Sequence, residues 1–259
     1  MVDIYTALEN YQQKSGKLKF EVNKTQEVLP AIQGISIEIN DEEILKFMQG
    51  LLEIFEKIQL FPPRNLTSTK LFNAFTRSGG SVALLVQDNL PEGMWEKYAR
   101  SVKIKKNILA FYFLQIRRKI LREVAAFFKE YPKGNYDLCP ICGNLPSVAA
   151  IHQDEDGLRF LHCNECLHSW EYLRMKCPSC KETNHDAFQE YYVDNKKEKD
   201  AFIEVCNKCG GRVKTFTIGK NTSFNPVLKD AETMHLDIML NEQLKEHVVP
   251  DKVKNAKQQ

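Results

Sequence analysis

The sequence predicts a multidomain α+β protein: an N-terminal α-helical domain, two tandem rubredoxin-like or zinc-ribbon β modules, and a C-terminal helix. Three observations indicate this architecture. Apolar residues recur at helical spacing through about the first half of the chain. All eight cysteines lie in the second half, and each belongs to a Cys-x-x-Cys pair. Short alternating segments, typical of strands, lie between those pairs.

Length, composition and charge narrow the class of protein. A chain of 259 residues is long enough for more than one domain. The formal net charge of +2 argues against a protein that binds nucleic acid or anionic membranes through a strong positive field. Met1 to Asn10 lack the features of a secretory signal, and the most apolar stretch, Ile108 to Leu114, is too short to cross a bilayer. We therefore expect a cytoplasmic protein without membrane insertion.

The first clear helix is expected to begin at Asp41. Asn40 is its predicted N-cap, Glu43 completes a capping box, and Pro62-Pro63 ends the run. Its apolar face has the three- and four-residue spacing of one helix side and consists of Ile44, Leu45, Met48, Leu51, Leu52, Phe55 and Ile58. We expect this face to pack in the core of a helical bundle.

Two further helices and one short extended segment complete the helical domain. One helix includes Leu71 and Phe75 and is interrupted at Gly79-Gly80. The longest runs from about Glu96 to Lys129. The extended segment is indicated by the alternating residues Ile35, Ile37 and Ile39.

Beyond a cluster of helix-breaking residues at 131–135, one unit is repeated twice: Cys-x-x-Cys, strand, turn, strand, Cys-x-x-Cys, strand. A final helix opens at Asn225-Pro226 and extends to about His247. The predicted strands are 148–153, 158–162, 169–175, 189–193, 202–205 and 212–218. We therefore expect a helical domain at 1–134, ribbons at 135–175 and 176–222, and a C-terminal helix and tail at 223–259.

The cysteine pairs are candidate metal knuckles, because two intervening residues let both sulfurs point inward from one tight turn. The predicted metal ligands are Cys139, Cys142, Cys163, Cys166, Cys177, Cys180, Cys206 and Cys209. Spacers long enough for a hairpin separate the first pair from the second and the third from the fourth. Sequential grouping is therefore the simplest, with interleaved grouping as the alternative. Disulfides fit poorly with uniform Cys-x-x-Cys pairs in a chain without a secretory signal.

The eight cysteines predict two metal ions, each bound by four cysteines. Zinc and a single rubredoxin-like iron fit four thiolates equally well. Four thiolates leave no open coordination position, so hydrolytic chemistry is not expected, and no catalytic motif is present. Gly143 and Gly210 are expected to adopt positive φ after their knuckles. We expect the nearby histidines to lie at the surface or to contact the cysteines without binding the metal themselves: His152, His162, His168 and His185.

Charged groups outside the knuckles are interpreted first as solvent-exposed. The triplet Arg117-Arg118-Lys119 and the lysines at 103, 105 and 106 are expected on solvated helix faces, with an acidic partner surface as the alternative. Asp230 and Asp237, seven residues apart on the last helix, share one face and are also expected in solvent.

Four motifs surround the cysteine pairs: Cys139-Pro-Ile-Cys-Gly143, Gly157-Leu-Arg-Phe-Leu-His-Cys163 with Cys166 and Trp170, Arg174-Met-Lys-Cys-Pro-Ser-Cys180, and Cys206-Asn-Lys-Cys209 with Gly210, Gly211 and Lys214. Through these motifs the segment from Cys139 onward resembles the FdhE family of formate dehydrogenase accessory proteins. Leu228 to Asp237 resembles the acidic terminal helix of that family, although Lys229 stands where an acidic pair is expected.

This resemblance implies a helical domain followed by two rubredoxin-like ribbons, with all eight cysteines as metal ligands, in the cytoplasm. It also implies an assembly role rather than catalysis, acting on the immature catalytic subunit of a molybdenum- or tungsten-dependent formate dehydrogenase. Two alternatives come from the residues alone. One is rubredoxin-like electron transfer, and the other is nucleic-acid binding by zinc ribbons, which the low net charge disfavours.

Overall fold

Six helices and a two-stranded sheet form the N-terminal part of the computed structural model, which describes residues 2–24, 29–61, 66–128, 134–154, 156–192, 200–219 and 224–247. The helices are α1 (Val2–Lys14), α2 (Asp41–Lys57), α3 (Ser68–Arg77), α4 (Val82–Val86), α5 (Met94–Val102) and α6 (Lys106–Phe127). A short 3-10 turn, Ala31–Gly34, precedes the sheet's second strand. Strands β1 (Phe20–Lys24) and β2 (Ile35–Ile39) pair antiparallel, so the alternating isoleucines form a strand as predicted.

Helix α2 begins where the sequence predicts. The Asn40 side chain accepts a hydrogen bond from the backbone N–H of Glu42, which satisfies one of the free donors at the helix start. Glu43 instead donates its N–H to the Asn40 carbonyl, so the side-chain cap falls one residue earlier than predicted. The buried face consists of Ile44, Phe47, Met48, Leu51, Leu52 and Phe55. The predicted stop at Pro62-Pro63 lies outside the described residues.

The longest predicted helix is in fact two helices, α5 and α6. Lys103 adopts a left-handed backbone with φ 55°, and Lys105 becomes the N-cap of α6. The Ile104 N–H reaches back 3.3 Å to the Ala99 carbonyl, and the Ile104 side chain is buried. Burial of that side chain offsets the left-handed cost of about 1–2 kcal/mol. Neither glycine nor proline marks the break, so the periodicity alone did not reveal it.

Aromatic rings fill the centre of the helical domain. Phe55 meets Tyr112 edge-to-face at 5.1 Å, and Phe75 stacks on Phe113 at 4.3 Å between ring centroids. The buried Tyr112 hydroxyl donates to the Met48 carbonyl at 2.5 Å, so its polar end is satisfied. The aromatic residues of these helices therefore form the core.

The strands of the two ribbons form one six-stranded sheet. The first ribbon contributes β3 (Val148–His152), β4 (Leu158–His162) and β5 (Ser169–Tyr172), and the second contributes β6 (Phe188–Tyr192), β7 (Ala201–Cys206) and β8 (Arg212–Ile218). The strand order is β5-β4-β3-β8-β7-β6. Neighbours are antiparallel except β3 and β8, which run parallel with Val148 opposite Lys214. Each ribbon therefore adds three strands in the same order and direction, as a tandem repeat requires.

The predicted final helix is also divided, into α7 (Pro226–Glu232) and α8 (Met234–His247). Pro226 occupies the first turn, and the Asn225 side chain accepts from the N–H groups of Val227 and Leu228 at 3.0 and 3.1 Å, as the predicted cap requires. At the break, the Thr233 hydroxyl donates to the Lys229 carbonyl at 2.7 Å. A threonine hydroxyl that competes for a helix carbonyl favours such an interruption.

The hydrophobic contacts are shared unevenly between the ribbons. The core of the helical domain continues into the first ribbon through Ala149, Leu161 and Trp170. The second ribbon packs a smaller cluster with Leu236 and Leu240 of α8. The α+β architecture is as predicted, whereas the boundaries at 134, 175 and 222 remain a proposal. Among the described residues, no helix combines the length and apolar character needed to span a membrane.

Candidate metal centres

The eight cysteines lie in two groups, and within each group the sulfur atoms lie within 4.8 Å of one another. The first centre consists of Cys139, Cys142, Cys163 and Cys166, and the second of Cys177, Cys180, Cys206 and Cys209. The first pair thus meets the second and the third meets the fourth. This is the sequential grouping, and the interleaved alternative does not match the structure.

All four knuckles share one backbone arrangement. The N–H of the first cysteine donates to the carbonyl five residues later, and the N–H after the second cysteine donates back to the first cysteine's carbonyl, at 2.7 to 3.1 Å. The residue after the second cysteine has positive φ in every case: 78° at Gly143, 60° at Leu167, 65° at Lys181 and 71° at Gly210. Glycine was predicted to serve two of these positions. Leucine and lysine adopt the same conformation at the other two.

The sulfur spacing fits a tetrahedral ion. A tetrahedron with metal–sulfur bonds of about 2.3 Å has edges of about 3.8 Å. Two backbone N–H groups also point at sulfur, from Glu165 to Cys163 at 3.4 Å and from Gly211 to Cys209 at 3.2 Å. The closest sulfur pairs are Cys139–Cys166 and Cys142–Cys163 at 3.5 Å, and Cys177–Cys209 and Cys180–Cys206 at 3.7 Å. Each group therefore fits Zn²⁺ or one iron ion, and four sulfur donors do not choose between them.

Close contact between the sulfurs shifts the pKa values of their thiols in opposite directions. Hydrogen bonds from neighbouring thiols, first Cys139, hold the pKa of Cys163 far below its ordinary value. The same kind of contact, again led by Cys139, raises the pKa of Cys166. Four sulfurs this close cannot all carry negative charge unless a cation lies between them. The first centre could therefore hold four thiolates only together with a bound cation.

The two centres differ in burial. All four cysteines of the first centre are buried. In the second centre Cys177 and Cys206 are buried, Cys180 is half-buried, and Cys209 is exposed. The second centre is therefore the more accessible to solvent.

The first centre is attached to the helical domain through its first knuckle. The N–H of Ala31 donates to the Pro140 carbonyl at 2.8 Å, and the N–H of Ile32 donates to the Ile141 carbonyl at 2.9 Å. A Cβ built on Gly143 would lie 2.8 Å from the Pro30 ring, so the Gly143 backbone packs closely against that ring. The 3-10 turn before β2 thus packs directly on the knuckle.

Its second knuckle is attached through both intervening residues. The Glu165 carboxylate forms an ion pair with the guanidinium of Arg117 on α6. The Glu165 carbonyl accepts from Arg122 at 3.4 Å, and Arg122 pairs with the buried Glu9 of α1 at 2.8 Å. Asn164 donates to Asp230 of α7 at 3.0 Å. This knuckle therefore contacts α6 and α7 and, through Arg122, reaches α1.

The prediction that Arg117-Arg118-Lys119 forms a solvated face is wrong. Arg117 and Lys119 are buried, and Lys119 donates to the carbonyls of Gln12 and Ser15 at 3.3 and 3.0 Å. Helix α6 lies between α1 and the first ribbon, so charged side chains on this part of α6 face protein and need protein partners. Lys103, Lys105 and Lys106 are exposed, as predicted.

The two aspartates of the terminal helices meet one buried lysine. The Lys214 ammonium of β8 lies 2.7 Å from carboxylate oxygens of both Asp230 and Asp237. Both carboxylates are partly exposed, but they hold a lysine side chain that is only 3% exposed. The expectation that they merely face solvent is therefore wrong. A charged residue at a mid-strand position that alternation would bury, Lys214, was the available signal.

A cavity of about 100 Å³ lies beside this group, between α1, α6, the second knuckle and α7. Arg118, Asn164 and Asp230 line it, and burial lowers the pKa of the Arg118 guanidinium. Arg118 Nε and Asn164 Oδ1 have no hydrogen-bond partner among the described residues. A polar space of this size admits several water molecules, which would satisfy both atoms.

A larger groove, of about 1240 Å³, runs along β5, the edge strand of the sheet. It is lined by apolar, charged and backbone groups that include Phe128, Leu158 and Leu173. The Trp170 side chain of this strand is held by a hydrogen bond from its Nε1 to the Tyr136 carbonyl at 2.7 Å.

None of the four candidate histidines belongs to either cysteine group. His162 is buried against the Phe224 ring at 4.7 Å between centroids, and burial together with His152 and His168 lowers its pKa to about 4. His185 is exposed. The structure thus places the histidines beside the cysteine groups or at the surface.

Residues 138–174 match the family model of the FdhE central domain, and residues 175–252 match that of the FdhE C-terminal domain. A protein FdhE homolog of Aquifex aeolicus (strain VF5) is 32% identical over 145 residues, which cover 54% of this chain and 50% of that protein. A homolog from Shewanella oneidensis is 35% identical over 106 residues, covering 40% and 34%. The chain thus spans half or less of the length of these relatives.

The crystal structure of the FdhE protein from Pseudomonas aeruginosa aligns with 86% of this chain and 94% of that chain, with a TM-score of 0.45 and 18% identity. The sequence matches fall on the part of the chain that holds every cysteine of both centres. The resemblance predicted from the knuckle motifs is therefore confirmed. Residues 138–252 of this chain are similar to the FdhE family, in its central and C-terminal domains.

Proposed function

We propose that this protein is an accessory factor for formate dehydrogenase, which binds the immature catalytic subunit in the cytoplasm and is needed to form the active enzyme. The observation that carries the proposal is the match of residues 138–252 to the two FdhE domains. The partner would be a molybdenum- or tungsten-dependent subunit. In this role the protein is not an enzyme.

The eight cysteines serve, in this proposal, as ligands of two metal ions, zinc or iron. Four sulfurs per centre, at near-tetrahedral spacing, support metal binding without an open position for substrate. The first centre then has an architectural role, since its knuckles join α6, α7 and the turn before β2. The second centre reaches the surface at Cys209.

Co-purification tests the partner. A tagged full-length chain is recovered from cells that make formate dehydrogenase, grown either with or without the metal that the dehydrogenase cofactor needs. We expect the catalytic subunit to co-purify in both cases, and in larger amount from the metal-starved cells, where the subunit stays immature. Recovery of no catalytic subunit from either culture would contradict the proposal.

Electron transfer is a second candidate function, because Cys209 is exposed and Cys180 is half-buried. A one-iron centre near the surface would be accessible to an electron donor or acceptor that docks there. Reversible bleaching of thiolate-to-iron colour in protein purified without oxygen would support this candidate, and a colourless zinc protein would remove it. Nucleic-acid binding gains no support, since Arg117, Lys119 and Lys214 are occupied by partners within the chain.

A further inference from the structure

The two centres have the same knuckles but different freedom to open. The knuckles of the second centre contact the two ribbons alone among the contacts described: the third knuckle meets the first ribbon, where Asp137 pairs with Lys181 at 3.4 Å and the Tyr172 hydroxyl donates to the Cys177 carbonyl at 3.4 Å. Lys208, inside the fourth knuckle, pairs with Glu182 at 2.6 Å, and the Asn207 N–H donates to the Ala187 carbonyl at 2.7 Å. Loosening the second centre therefore breaks no described contact with the helical domain.

The corresponding residues of the first centre are tied to the rest of the protein. Asn164 and Glu165 occupy the places of Asn207 and Lys208, and they bind α7 and α6. Withdrawing a cysteine of this knuckle from a metal would disturb a buried ion pair and a helix contact as well. Loss of supporting partners of this kind weakens metal sites by about 10- to 100-fold.

One cysteine of the second centre can be reached from solution. Cys209 is the exposed cysteine, and a Cβ built on the neighbouring Gly210 would meet no atom within 4 Å. An incoming ligand can therefore approach the centre from the Cys209 side.

We propose that the second centre is an exchange site, which takes up a soft metal cation from a thiol ligand in solution and releases it again, while the first centre keeps its ion. The proposal rests on the metal binding proposed above. In the first step of release the bond between the metal and the Cys209 sulfur would break and a bond to the incoming thiol's sulfur would form, and the other three metal–sulfur bonds would then be exchanged in the same way. The proton lost by the incoming thiol passes to Cys209, so charge and atoms balance.

Metal-release kinetics test the proposal on the full chain loaded with zinc. Glutathione supplies the competing thiol, and a chromogenic zinc chelator reports the released ion. We expect two phases of equal amplitude, with the first faster by about tenfold or more. Alkylation of free thiols at the end of the fast phase, read by mass spectrometry, should label Cys177, Cys180, Cys206 and Cys209 and spare the other four.

Matched variants test whether Cys209 is the cysteine that leaves the metal first. Cys209→Ser should remove the fast phase and leave one slowly released ion, with the helical circular dichroism unchanged. Cys166→Ser, at the same knuckle position in the first centre, should lose helical signal, and if it does not fold the alkylation map of the unaltered chain still decides. Release of both ions in one phase, or fast-phase labelling of Cys139 to Cys166, would overturn the proposal. A chain that takes up no zinc would instead refute metal binding itself.

Discussion

The first and second metal centres share a backbone and differ in their surroundings. Every knuckle has the same two hydrogen bonds and the same left-handed residue, so local sequence sets the position of the sulfurs. The first centre is buried between α6, α7 and the turn before β2, whereas the second reaches the surface at Cys209. The comparison teaches that repeated ligand motifs fix geometry, while tertiary neighbours decide how firmly each centre is held.

The largest expected difference between the centres comes from Glu165→Gln. This change leaves the Arg117 guanidinium, only 6% exposed, without its charged partner. Breaking a buried ion pair from one side costs about 3–5 kcal/mol. Chemical denaturation of the metal-loaded protein measures this loss. Lys208→Gln, at the same knuckle position in the second centre, is the control and should unfold like the unaltered chain, because the Lys208 side chain is exposed. Equal losses in the two variants would contradict the comparison.

Alanine substitutions at the knuckle glycines should give the next largest difference in stability between the two centres. Gly143 and Gly210 both have positive φ, so alanine adds strain of about 1–2 kcal/mol at either position. At Gly143 the new methyl group would also lie 2.8 Å from the Pro30 ring, which adds about 1–3 kcal/mol of overpacking. Thermal or denaturant unfolding should therefore rank Gly143→Ala as the more damaging change. The opposite ranking would show that the contact with Pro30 does not hold the first centre.

A smaller effect is expected from Lys214→Met, which tests how α7 and α8 are held beside the first centre. The variant loses three hydrogen bonds of the Lys214 ammonium: two to the carboxylates of Asp230 and Asp237, which can turn to water, and one to the Asp230 carbonyl. We expect a loss of about 1.5–3 kcal/mol. Hydrogen exchange should show lower protection in α7 and α8, with α2 and α6 unchanged. Lys229→Met, which removes an exposed pair with Glu232, serves as control. Unchanged protection in the Lys214 variant would mean that this lysine does not anchor the helices.

Much of the architecture could be predicted from the sequence because its signals are local. Apolar spacing located α2, the cap at Asn40 marked its start, and the cysteine spacers gave the sequential grouping. The breaks at Lys103 and Thr233 were missed, because a left-handed lysine and a hydroxyl–carbonyl bond leave no glycine or proline in the sequence.

The surroundings of the centres could not be predicted, since they depend on contacts between distant residues. Arg117 meets Glu165 only because α6 packs on the second knuckle. Lys214 meets Asp230 only because α7 returns to β8. A single sequence does not record such pairings. It did carry one hint, since Glu165 and Lys208 differ in charge at equivalent positions of the repeat.

Metal content, measured on the full chain purified without oxygen, tests the central claim most directly. Elemental analysis combined with native mass spectrometry counts the ions per chain and the state of the thiols. The account predicts two ions, zinc or iron, with all eight cysteines reduced, and one ion in a Cys180→Ser/Cys206→Ser variant. A chain that holds no metal, or whose cysteines are joined as disulfides, would contradict it.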